Sequence, residues 1–252
     1  MRGQQTTIGS CFPTGRFYPG IADLLAKAVR NVEGVAEELV AGSAWATQPM
    51  AVVDFETTGL DPTVDRVIEV GVVFLDAGMI SARHNFLVNP GMPVPEEARS
   101  VHGITDEELA SAPPFEGIAA ELRELLAGRI PVAYNAGFDR RFLDAELARL
   151  GLGSGDEPPA FRPKVDWIDP LVWSRELGPD EKSHKLGDVC ERLGVELVQA
   201  HRAAGDAEAT GRVLLALSDR MPRTYGELVR LQRQAAARHE AEMSVWRNRR
   251  MS

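Results

Sequence analysis

The sequence predicts an α/β domain whose core is a mixed five-stranded sheet flanked by helices, and two features predict it. Three apolar, strand-like runs between residues 50 and 88 are joined by short turns, the pattern of an antiparallel meander. Beyond them strand-like and helical segments alternate, the pattern that lays helices against a sheet.

Residues 1–20 mix Gly, Thr, Pro and aromatics without periodicity and read as irregular. From Ile21 to Val40 apolar residues recur at Leu24, Leu25, Val29, Val32, Val35 and Leu39, an amphipathic helical spacing. This helix is expected to end near Gly42, and Gln48 and Pro49 mark a boundary. Met50 to Glu56 is an apolar run that turns acidic, which predicts a buried strand. A turn over 57–62, a second strand from Arg66 to Leu75 and a third from Asn85 to Val88 complete the meander. Helices are expected at Asp106 to Ala110 and Phe115 to Ala127, then a strand at Ile130 to Tyr134 leading into a helix from Phe138 to Leu150. A Gly- and Pro-rich loop over 151–164 precedes a fifth strand, Val165 to Ile168. Helices then follow at Pro170 to Leu177, Leu186 to Leu193 and Ala203 to Ser218, and from Tyr225 the tail is helical and rich in Arg. The expected organisation is an extension over 1–48 with one helix, a domain over 49–219, and a basic helical tail over 220–252.

The composition, 44% apolar and 26% charged over 252 residues, is ordinary for a globular chain with a sizeable core. A net charge of −9 argues against a general nucleic-acid coat protein. The charge is uneven: residues 51–219 carry 16 basic and 30 acidic side chains, whereas 220–252 carry eight Arg against three Glu. Cys11 and Cys190 lie far apart, with no paired spacing for a disulfide framework or a zinc site. Cys190 falls in an apolar helical pattern and reads as core filler. No run approaches about 18 consecutive apolar residues, so no membrane span is expected. The first 20 residues lack the apolar stretch and cleavage signature of a secretory signal, so a cytoplasmic location follows by default.

The chemistry-bearing residues are carboxylates. Asp54 and Glu56 are two apart on a strand, so both leave the same face, where they repel unless a cation lies between them. Hard oxygen donors at the end of an apolar strand suit Mg²⁺ or Mn²⁺. Asp139, in Asn135-Ala-Gly-Phe-Asp139, falls in a first helical turn, where negative charge is favoured and where it also fits a simple helix cap. Asp206 opens another helix, with His201 on the loop before it. A loop histidine can serve as a general base near neutral pH, although it is more often simply solvent-exposed.

The combination is more specific than its parts. D-x-E on the first core strand, N-A-x-F-D after the fourth, and H-x4-D before the last core helix resemble, in that order, the DEDDh (DnaQ-like) exonuclease family. That family includes the proofreading epsilon subunit of bacterial DNA polymerase III. Asp54-Phe-Glu-Thr-Thr-Gly-Leu60, Val101-His-Gly-Ile-Thr105 and Asp169-Pro-Leu agree as well, and the resembling region runs from about Ala51 to Leu217. One departure is visible: many relatives have His before the Asn of the second motif, where this chain has Tyr134.

The resemblance implies an RNase H-like fold and a 3′→5′ exonuclease using two Mg²⁺ or Mn²⁺ ions. Asp54, Glu56 and Asp206 would form the main metal shell, and Asp139 would act on the second ion or its waters. His201 would take a proton from the water that attacks the last phosphodiester, releasing a 5′-mononucleotide. Thr57, Thr58, Leu60, Glu97 and His102 match positions beside the terminal nucleotide or its last bases. Asn135, a further candidate substrate contact, and Phe138 resemble supporting residues around Asp139, and Phe138 reads as packing. The expected partner is a nucleic acid with a free 3′ end, DNA before RNA, handled alone or beside a DNA polymerase. An RNA-trimming enzyme of the oligoribonuclease or RNase T kind uses the same motifs. A non-catalytic polymerase-associated binding subunit is the reading of another class.

Overall fold

The computed structural model describes residues 32–152, 157–198 and 200–251, with only the backbone of 246–251. The sheet has four strands: β1 (Met50–Thr57), β2 (Val67–Asp76), β3 (Met79–Leu87) and β4 (Ile130–Val132), in the order β3-β2-β1-β4. β1 pairs antiparallel with β2 and parallel with β4, and β2 pairs antiparallel with β3, so the sheet is mixed as expected.

Around it lie α1 (Glu96–His102), α2 (Asp106–Leu109), α3 (Phe115–Leu126), α4 (Gly137–Arg149), α5 (Pro170–Leu177), α6 (Leu186–Leu193), α7 (Ala203–Leu217) and α8 (Tyr225–Met251). Because side chains alternate along a strand, β1 feeds two cores. Met50 and Val52 join Val73 and Leu75 of β2 under α7 and α8, with Val213, Leu214, Tyr225 and Leu228. Ala51, Val53 and Phe55 join Val70 and Val72 against α3 and α4, with Leu122, Phe142 and Leu143. A strand covered on both faces must be apolar throughout, and β1 is, until Asp54. The same alternation puts Asp54 and Glu56 on the α7 face.

Three expectations need correction. The fifth strand over 165–168 forms no ladder: it makes two isolated parallel bridges, Gly34 with Val165 and Val132 with Ile168, and beyond the Gly34 bridge its far side is met by the Gln232 side chain. The third strand starts at Met79, six residues earlier than expected, straight after the left-handed pair Ala77 and Gly78. Its inward side chains are Ile80, Ala82, His84 and Phe86, a mixture that hides the apolar alternation. Residues 32–40 are turns rather than the end of a helix. Gly34, at φ 90°, accepts the Asp166 N–H (2.8 Å), and Val35, Ala36 and Leu39 enter the α7–α8 core from this irregular path. The rest of that expected helix, with Cys11 and the first 20 residues, lies outside the described residues.

Helix α1 was not foreseen, since its sequence lacks apolar periodicity. It is bounded by Pro95 and by Gly103, whose φ of 73° closes it. The tail helix is as expected, and its first half is buried through Tyr225, Leu228, Val229, Gln232 and Ala235. No helix among the described residues is long and apolar enough to cross a membrane.

Candidate active site

Asp54 and Glu56 leave the end of β1 toward the first turn of α7, which carries Asp206. Carboxylate oxygens of the three lie within 4.8 Å of one another. That approach depends on glycines. A Cβ on Gly71, which pairs with Asp54 across the sheet, would run into the Ala203 and Ala204 backbone, and Gly211 similarly lets α7 rest on Val52 and Leu75. The cluster is half-buried and like-charged. Burial, then Asp139, Asp206 and Glu56, raise the Asp54 carboxyl well above its ordinary range. Burial, then Asp206 and Glu69, push Glu56 up to about 8, against the opposing pull of Arg202. Burial also raises Asp206, although the His201 N–H donates to its Oδ2 (3.0 Å). Three hard oxygen donors, close together and short of positive charge, fit a divalent cation.

Asp139 does not join this tight group. It comes from α4, whose core residues lie on the opposite face of the sheet, and reaches around the end of β1. There its Oδ1 accepts the Phe55 N–H (2.9 Å), between the two β1 acids. It is only 3% exposed, and burial raises its carboxyl, partly offset by the Phe55 N–H. It stands beside the triad, close enough to raise Asp54, as a fourth acid on a separate element.

The turn ahead of Asp139 is itself held. Asn135 has a φ of 62°, and the Asn135 and Ala136 N–H groups donate to Asp169 (2.9 and 3.0 Å). Asp169 also caps α5 through the Leu171 N–H (2.9 Å). Burial lifts Asp169 to about 6, against these donors. Tyr134, at the departing position, donates to the His184 carbonyl (2.6 Å) and takes no part in the acidic cluster.

His201 is exposed, on the loop before α7, with a φ of 62° that turns its N–H back onto Asp206. Its neighbour Arg202 reveals a residue that the sequence reading missed. Glu69, opposite Glu56 on β2, is 0% exposed. It accepts from Arg202 Nη2 (2.6 Å), Asn85 Nδ2 (2.9 Å) and the Ala203 N–H (2.9 Å). Burial pushes the Glu69 carboxyl up, but these donors outweigh it and hold it below the ordinary range. Glu69 therefore ties the start of α7 to the sheet and holds a cation against the acids. The available signal was a lone carboxylate inside an otherwise apolar strand.

Beside the acids lies a cavity of about 430 Å³ lined by Phe55, Glu56, Thr57, Thr58, Leu60, Glu97, His102 and Phe138. It gathers Thr57, Thr58, Leu60, Glu97 and His102, all expected beside the end of the strand; Asn135, expected to support Asp139, is not in its lining. Leu60 is 81% exposed at its rim. Thr57 and Thr58 brace the turn by donating to Gly59 O (2.6 Å) and Asp65 Oδ1 (3.1 Å). His102 accepts the Ile104 N–H at Nδ1 (3.0 Å), and burial lowers its pKa.

The sequence profile of the RNase T exonuclease family matches residues 51–214. A PolC-type DNA polymerase III of Bacillus cereus is 35% identical over 170 residues, 68% of this chain and 11% of that protein. The chain thus spans about a tenth of the length of that relative. Among solved structures, Exonuclease X in complex with 5′-overhanging duplex DNA is similar, with TM-score 0.57, 23% identity, and coverage of 73% of this chain and 99% of that one. So is the nuclease domain of 3′hExo, a DEDDh family member bound to rAMP, with TM-score 0.58, 19% identity, and coverage of 69% and 93%. The profile, the polymerase likeness and the shared fold agree with the order of the acidic motifs, and the chain belongs to the DnaQ-like family of 3′→5′ exonucleases.

Proposed function

We propose that this exonuclease removes nucleotides one at a time from the 3′ end of single-stranded or frayed DNA, releasing 5′-mononucleotides in proofreading or repair. The observation that carries the reading is the convergence of Asp54, Glu56 and Asp206 within 4.8 Å beside a nucleotide-sized cavity. Asp54, Glu56 and Asp206 would hold two Mg²⁺ or Mn²⁺ ions, with Asp139 completing the site. Bound there, the ions would offset the charge of the attacked phosphate and make a water more acidic. The chain's own residues do the rest. His201, exposed at the mouth, takes the proton from the attacking water. Thr57, Thr58 and Leu60 meet the last bases, and Glu97 and His102 hold the terminal sugar end. Clustered carboxylates repel a phosphate until cations neutralise them, so substrate binding depends on the ions. A frayed end enters at lower cost than a paired one, which favours mismatched termini.

The likeness to PolC-type polymerases supports DNA as substrate and a polymerase as partner. The test is degradation of 5′-labelled DNA and RNA strands of one sequence, single-stranded, paired and mismatched at the 3′ end, with Mg²⁺. Expected are single-nucleotide ladders, faster on DNA and on mismatched ends, abolished by EDTA and by Asp54→Ala or His201→Ala. A tenfold preference for RNA would overturn the DNA assignment. Undiminished hydrolysis by both variants would overturn the mechanism, and no hydrolysis of either strand would leave a binding subunit.

A further inference from the structure

Gln232 is buried on α8, beyond the 51–214 stretch that matches the exonuclease family. Every hydrogen bond it makes lands on one segment. Its Oε1 accepts from the Asp169 N–H (2.8 Å) and from Trp173 Nε1 (3.1 Å), and its Nε2 donates to the Trp167 carbonyl (2.7 Å). On its other side the same segment is bonded to β4, through Ile168 N to Pro131 O (2.9 Å) and Ala133 N to Ile168 O (3.1 Å). Gly34 bridges this segment at Val165, and past that point the amide of Gln232 takes over, giving the Trp167 and Asp169 main-chain groups the partners another strand would have supplied.

The segment ends at Asp169, whose carboxylate takes the Asn135 and Ala136 N–H groups. Asn135 holds a left-handed φ that a non-glycine residue adopts only when its surroundings fix it. Three residues after Ala136 comes Asp139, bonded to the Phe55 N–H between the two β1 acids. We infer that Gln232 is a positioning residue for the exonuclease site, acting from α8 through Asp169 on the turn that sets Asp139. The inference rests on the exonuclease reading above and gives the C-terminal helix a role within the site. Removing the amide strands three buried polar groups at once, and each seeks a partner by shifting the segment.

The test compares Gln232→Met, which keeps the shape and loses the hydrogen bonds, with Leu228→Ala, which opens a cavity under α8 without touching the chain of bonds. Gln232→Glu serves if the Met variant does not fold. Both are brought to the same folded fraction, judged by circular dichroism. Expected for Gln232→Met is a fall in kcat of about tenfold or more, with KM within about twofold, since misplacement of order 1 Å costs about 10²-fold. Leu228→Ala keeps its kcat within about twofold. Amide hydrogen exchange gives a readout free of activity. The Asn135 and Ala136 amides exchange at least tenfold faster in Gln232→Met, and those of Val52 and Val53 do not change. Wild-type kcat together with unchanged exchange at 135 and 136 overturns the positioning role. Wild-type protein that hydrolyses nothing overturns the exonuclease reading instead, and the exchange result then still decides whether Gln232 sets the turn.

Discussion

A single methyl group at Gly71 tests the geometry of the site most directly. Gly71 sits on the α7 face of β2, opposite Asp54, and a Cβ there would lie well under 3.0 Å from the Ala203 carbonyl carbon and oxygen and from the Ala204 nitrogen. These are backbone atoms and cannot swing aside. Ordinary contact begins at 3.4 Å, so α7 and β2 must part by about 1 Å. β2 is held between β1 and β3 by antiparallel ladders on both sides, so the displacement falls on the start of α7. Three residues further on is Asp206, and its bond to the His201 N–H carries the loop with it. Gly71→Ala should therefore cost about 1–3 kcal/mol of stability by overpacking. It should also lower kcat about 100-fold through misplacement of order 1 Å. Urea unfolding measures the first, and initial rates on labelled single-stranded DNA at saturating Mg²⁺ measure the second. If a fully folded Gly71→Ala protein keeps its rate within threefold of the parent, the close seat of α7 is not what brings the acids together.

Other perturbations separate the roles of the remaining groups. Glu69→Gln leaves Arg202 without its counter-charge and weakens three hydrogen bonds. A loss of about 1–3 kcal/mol and a rate at least tenfold lower are expected, and wild-type Mn²⁺ affinity and rate would exclude Glu69 from the site. Glu146, 1% exposed, takes Arg66 on both oxygens (2.8 and 2.9 Å) and the Val67 N–H (3.2 Å), outside the acidic cluster. Glu146→Ala should cost about 3–5 kcal/mol in urea unfolding and spare kcat in the folded protein. The pH dependence of the metal-free protein follows from Glu56. Its pKa is raised from 4.5 to about 8, so the folded state holds that proton more tightly than the unfolded chain. The stabilisation is complete below pH 4.5 and is lost as pH rises through 8. Asp54, Asp139 and Asp206 act in the same direction. Thermal melts in EDTA should show Tm falling over that window, Mg²⁺ should reverse the fall, and Glu56→Gln should flatten it; a Tm that climbs toward pH 8 in EDTA contradicts the picture. Asp139→Asn keeps an acceptor for the Phe55 N–H, whereas Asp139→Ala leaves that group unpaired at about 1–3 kcal/mol. Equal inactivity of both variants assigns Asp139 a role as a charge, and activity in the Asn variant alone reduces it to a clamp on β1.

The residues that announced themselves in the sequence were those that break a pattern. Asp54 and Glu56 interrupt an apolar strand, and Asp139 and Asp206 each open a helix after a recognisable turn, so motif order alone identified the family. What stayed hidden depends on partners far away in the chain. The segment over 165–168 looks like a strand because its apolar residues are buried. Its hydrogen bonds are shared among β4, the Gly34 turn and the side chain of Gln232, more than sixty residues later. Val32, Val35 and Leu39 have helical spacing, yet a turn at Gly34 buries them without a helix. Glu69 lies in a strand read only for its apolar neighbours.

These hidden residues have something in common. A helix laid on one face of a sheet and a helix laid on the other cannot both meet the strand end by packing alone. Asp54, Glu56 and Asp206 share the α7 face, and Asp139 arrives from the α4 face, so two separate devices have to bring them level. Glu69 and Gly71 seat α7 from β2, and Asp169, backed by Gln232, fixes the turn before α4. The like-charged acids push these elements apart, and the two devices hold them against that repulsion. An isolated motif scan sees the acids because they are the cargo of this arrangement. It misses the holders, whose chemistry (two carboxylates, one amide, one glycine) is defined only by what each of them touches.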